Sequence, residues 1–142
     1  MLRWFARPVA LLALVGVAFG CDEVDAKSRS EAERVVLAVK ALRDAENEQK
    51  GPRLTALRAT ECTLPDVCAL KEECGAAYDL YVKGLDAVRA VKKSLASDAG
   101  ASDALSAARL LETAERDVAS GKEKAGRCAE SEAKVRLRYK LD

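Results

Sequence analysis

Two long apolar series, each stepping by three and four residues, constrain this chain to fold as paired helices. The first runs Val67, Leu70, Cys74, Ala77, Tyr81, Gly84, Val88, Val91, Leu95. The second runs Ala104, Ala107, Leu111, Ala114, Val118, Gly121, Ala125, Cys128, then on through Val135 and Tyr139, with Glu132 its one polar member. Such spacing puts every member on one stripe of an α-helix. Each helix would extend roughly 50 Å at about 1.5 Å per residue. The turn-like stretch from Ser97 to Ser102 separates them, so the two must run antiparallel to bury their stripes. The predicted fold class is all-α: an antiparallel helical hairpin or three-helix bundle with two disulfides.

The disulfides follow from the register. If the chain reverses near residue 100, Cys74 and Cys128 stand at the same height on facing stripes. Their neighbours Gly75, Ala76, Ala77, Ala125, Gly126 and Ala129 are small enough for the alpha carbons to come within about 7 Å. Cys62 and Cys68 are then left to close a tight loop from Cys62 to Asp66. The rival pairing joins Cys68 to Cys128, about four residues out of height, and takes Cys68 from outside the stripe.

Ahead of the hairpin, Ser30 and Glu33 have the spacing of a capping box, and Ala32, Val35, Val39, Leu42 and Ala45 recur at helical intervals. This predicts a first helix over 30–49. Gly51 and Pro52 punctuate the chain there, and Leu54, Ala56 and Leu57 predict a short second helix.

The first twenty residues are of another kind. Arg3 and Arg7 precede an apolar run from Val9 to Phe19, and the small residues Ala18 and Gly20 frame a cleavage site before Cys21. That order is the grammar of a secretory signal, and the run is about half the roughly 20 apolar residues a spanning helix needs. The segment resembles the signal of bacterial envelope lipoproteins. Gly20 and Cys21 fit that family's box, whereas it prefers Leu where Ala18 stands and a small residue where Phe19 stands. The resemblance implies lipid attachment at Cys21 and a location on the outer or inner membrane, facing the periplasm or the surface. The same bond also suits ordinary signal peptidase, which would release a soluble protein. Cysteine arithmetic favours the lipid: five cysteines less Cys21 leave an even set for an oxidising compartment. The expected organisation is a signal peptide over 1–20, a lipid-anchored linker over 21–30 and one helical domain over 31–142.

Composition excludes more than it assigns. Without Arg3 and Arg7 the 24 basic residues fall to 22, against 23 acidic ones, which lacks the clustered positive excess of a nucleic-acid binder. The chain has no His, so a His-based triad or an imidazole beside a nucleophilic cysteine is ruled out. Cys62, Cys68 and Cys74 are too widely spaced for the usual structural zinc site. Neither enzyme activity, cofactor nor metal is expected.

Six acid–base pairs at four-residue spacing, Glu46/Lys50, Asp79/Lys83, Glu112/Arg116, Glu123/Arg127, Glu130/Lys134 and Glu132/Arg136, read as solvated helix surface. Tyr78 and Tyr81 could stack on a sugar ring or fill the core. Lys134, Arg136, Arg138 and Lys140 suit the end of a helix dipole, or contact with an anionic polymer, lipid headgroup or partner. The expected role is a membrane-anchored structural or interaction lipoprotein of the bacterial envelope. It would be held by membrane lipid through Cys21 and would meet an envelope protein partner, as an accessory component of a surface assembly such as an adhesion, secretion or gliding apparatus. The alternative is a soluble periplasmic binding or inhibitor module, marked by a recess between the helices.

Overall fold

The computed structural model describes residues 24–96 and 101–142. Among the described residues four helices follow one another: α1 (Ala26–Arg43), α2 (Lys50–Ala59), α3 (Pro65–Ala96) and α4 (Ala101–Tyr139). The fold is all-α, and both cysteine pairs read from the register are formed. Cys74 and Cys128 have alpha carbons 4.8 Å apart, and Cys62 and Cys68 have theirs 5.5 Å apart. The long pair sits in the buried contact between α3 and α4.

Two glycines let α3 and α4 approach. A Cβ on Gly84 would stand 2.6 Å from Val118 Cγ2 and 3.2 Å from the Ala114 carbonyl oxygen. One on Gly121 would meet the Ala77 carbonyl oxygen at 3.1 Å. A Cβ on Gly126 would meet nothing within 4 Å. Gly84→Ala is therefore expected to destabilise the protein by about 1–3 kcal/mol through overpacking, less the helix-propensity gain. Gly126→Ala should instead stabilise it by up to about 1 kcal/mol. Urea unfolding of the two variants checks the contrast, and equal shifts would contradict this packing.

α1 begins and ends elsewhere than expected. Its N-cap is Asp25, whose carboxylate accepts from the Ser28 backbone N–H and hydroxyl, each at 2.8 Å, so the helix opens before Ser30. The polar stretch read as linker is thus helical from Ala26. α1 stops at Arg43 because Lys50 turns back over its end. The Lys50 ammonium donates to the carbonyls of Leu42 (3.4 Å), Arg43 (3.1 Å) and Ala45 (2.9 Å), groups that a helix end leaves unpaired. Lys50 therefore serves no pair with Glu46, and Gly51 and Pro52 lie inside the first turn of α2.

α1 and α2 pack on one half of the hairpin. Val35, Val39, Leu42, Leu57, Val67, Leu70 and Cys74 are the largest fully buried side chains among the described residues. Among the described residues this core contains no Phe or Trp, so the helices lie close together. Glu31 joins α1 to the start of α3: its buried carboxylate accepts from the Thr63 and Leu64 backbone N–H groups and the Thr63 hydroxyl. Those hydrogen bonds, Leu64 foremost, hold its carboxyl below the usual range despite burial, and the negative charge suits the positive end of the α3 dipole. The start of α1, the start of α3 and the end of α4 thus form one end of the bundle, here called the base. α3 and α4 continue from it toward the turn.

Candidate functional site

The predicted basic run lies at the base. Arg136 donates from Nε to Glu132 (2.9 Å) and from Nη1 to the Asp142 carbonyl (2.6 Å). Arg138 donates to Asp66 (3.2 Å) and lies over the Tyr139 ring, while the Tyr139 hydroxyl donates to Asp66 (2.9 Å). Lys140 takes a left-handed backbone (φ 53°) that closes α4, with its N–H directed to Leu137 and that of Leu141 to Arg136. Lys134 borders a shallow recess with Asp66, Ser131 and Arg138. The two arginines are thus held by their own chain. The spacing already pairs Arg136 with Glu132, but the sequence could not show the partner of Arg138, because Asp66 is remote along the chain.

Higher up, Glu132 is the polar member of the α4 stripe and is almost wholly buried. It accepts from Arg43 of α1 at 2.6 Å and from Arg136 at 2.9 Å. Burial alone would push its carboxyl up, but the two guanidiniums outweigh burial and hold it below the usual range. Of the six pairs expected on the surface, Glu132/Arg136 and Asp79/Lys83 are ion pairs among the described residues. Arg116 donates to Thr113 instead of meeting Glu112.

Above this ion triad, Arg43, Lys50, Tyr78, Tyr81 and Lys122 line an open recess of about 200 Å³. The Lys50 ammonium lies 5.7 Å from the Tyr78 ring centre, and burial raises the Tyr78 hydroxyl against the pull of Arg43. Both tyrosines are half-buried, between the two roles the sequence left open. Lys50 and Arg43 are occupied by carbonyls and by Glu132, so the recess carries less free positive charge than its lining suggests.

Beyond the recess, nothing among the described residues covers the hairpin face. Val88, Leu111, Ala114, Val118 and Ala119 line an apolar groove of about 340 Å³, edged by Glu115 and Lys122. Leu95, Leu105 and Leu110 are also exposed on this half of the hairpin. Single exposed leucines need no explanation, but a lined groove among several marks a contact surface. The sequence held the signal for it: α1 has 18 residues and cannot cover helices of 32 and 39.

Cys21 and residues 97–100 of the expected turn lie outside the described residues. Among the described residues no helix is long and apolar enough to cross a membrane. No protein-family model, curated protein or solved structure matches this chain.

Proposed function

We propose that this chain is a lipid-anchored structural or interaction component of the bacterial cell envelope, held through Cys21 and presenting the α3–α4 hairpin to an envelope protein. It would act as an accessory component of a surface assembly such as an adhesion, secretion or gliding apparatus. The observation that carries the reading is the cysteine pairing. Cys62–Cys68 and Cys74–Cys128 use four of five cysteines and leave Cys21, directly behind a signal-like segment, as the fifth. The base supports it too: Val24, three residues after Cys21, packs against the core there, so an anchored chain would direct its hairpin away from the membrane.

Detergent phase partitioning tests the anchor. The wild-type protein should enter the detergent phase, whereas Cys21→Ser should either move to the aqueous phase or persist as a longer uncleaved precursor. A Cys21→Ser protein of unchanged length that partitions like wild type would refute lipid attachment.

The recess at Tyr78 and Tyr81 favours a second reading, a soluble periplasmic binding or inhibitor module. At about 200 Å³ it falls short of the roughly 300 Å³ at which ligand pockets begin, so the contact role is preferred.

A further inference from the structure

We infer that the Cys62–Cys68 link is a site of thiol–disulfide exchange, opened by a dithiol reductant, and that opening it releases the Glu31 clasp tying the start of α1 to α3. This goes beyond the contact role proposed above and is independent of the lipid. The two links differ in access. Cys74 and Cys128 are 0% and 3% exposed in the seam of the hairpin, so a reductant reaches them only when α3 and α4 separate. Cys62 and Cys68 are part-exposed where the loop after α2 enters the first turn of α3, so they meet solvent in the folded protein.

What the short link holds is the donor side of the clasp. Thr63 and Leu64 lie inside the ring that Cys62 and Cys68 close, and their backbone N–H groups, with the Thr63 hydroxyl, donate to the Glu31 carboxylate. The ends of the loop have holds of their own. The Thr60 carbonyl accepts from Lys71 at 3.0 Å, and Asp66 accepts from Tyr139 and Arg138. Between those ends, Thr63 and Leu64 are fixed by the link, by Glu31 and by the packing of Leu64 on the core. With the ring open the two N–H groups regain the freedom of a short coil and no longer converge on one carboxylate. Glu31 is 5% exposed, and a buried carboxylate that loses its donors must move toward water or take up a proton. Arg34 on its own helix and Tyr139 of α4, whose hydroxyl is given to Asp66, stand near Glu31 without a hydrogen bond to replace those lost.

The exchange needs no reactant besides the dithiol. One thiolate of the reductant attacks one sulfur of the link, and the other cysteine leaves as a thiolate and takes a proton. The reductant's second thiol then displaces the first cysteine. Two electrons and two protons pass to Cys62 and Cys68, and the dithiol becomes a disulfide.

Dithiothreitol is the probe. The mature protein, its free thiols blocked beforehand, is treated without denaturant, and the thiols that form are trapped with iodoacetamide and located by peptide mapping. Cys62 and Cys68 should be labelled at least about tenfold faster than Cys74 and Cys128, with helical circular dichroism unchanged. The Glu31 carboxyl, followed by carbon-13 NMR through a pH titration, should bind its proton about tenfold more tightly in the reduced protein, and likewise in Cys62→Ser/Cys68→Ser. A link that served stability alone would leave this native-state titration where it was. Equal labelling of the two links, collapse of the helical signal as the short one opens, or a Glu31 titration unmoved by reduction would overturn the inference. None of these outcomes depends on Cys21, so failure here and failure of the anchor are separable.

Discussion

Joint replacement of Cys74 and Cys128 by Ala is expected to lower the unfolding free energy by about 4 kcal/mol, the largest stability loss of any change considered. The link closes a loop of sequence separation 54, so it removes far more freedom from the unfolded chain than the Cys62–Cys68 link of separation 6. Replacing that short pair should cost about 2 kcal/mol. Both cysteines of the long link are buried in the core, so the double Ala variant also loses packing there. Urea titration of the two variants measures the difference. Equal losses from the long and short links would contradict the chain-entropy account.

Glu132→Gln should have the next largest effect, about 2 kcal/mol, because it leaves the Arg43 and Arg136 guanidiniums facing a buried neutral group. The value stays below the usual cost of breaking a buried pair because Arg43 is 41% and Arg136 28% exposed, so water recovers part of their charge. The pH dependence has a definite sign. The folded carboxyl titrates below its ordinary value of 4.5, so the ion triad contributes fully above that value and is lost as pH falls through the folded value. Glu31 and Asp79, also depressed by their hydrogen-bond partners, slope the same way. The informative quantity is therefore the wild-type minus Glu132→Gln difference. It should be constant from neutral pH down to about 4.5 and shrink over the range below it. A difference that stays constant over that range would mean that the carboxylate charge contributes nothing.

The hairpin was legible because its stripes and cysteines report on one another. The spacing from Val67 to Leu95 and from Ala104 to Tyr139 demands two facing helices, and only one register brings Cys74 level with Cys128. The boundaries of α1 were not legible for a different reason. Asp25 and Ser30 are equally good caps, and the choice falls to Asp25, while the neighbouring Glu31 turns to Thr63 and Leu64 across the fold. Likewise nothing local says that Lys50, helix-forming in itself, will fold its ammonium back over Leu42, Arg43 and Ala45. The basic run shows the same limit. Arg136 finds Glu132 one turn away, as the spacing implies, but Arg138 looks free until Asp66 is brought beside it. The groove lies between these cases, since the helix lengths imply an uncovered half, but its lining requires knowing that Val88 of α3 and Leu111 of α4 share one opening.

Cys21 is the proposed point of attachment for the hairpin, and intact mass spectrometry of the protein extracted from bacterial membranes tests that most directly. The mature chain should begin at Cys21 and carry the added mass of a diacylglycerol, with or without an amide-linked acyl chain, while its other four cysteines remain oxidised. A chain beginning at Cys21 with no added mass, or one still carrying residues 1–20, would contradict it.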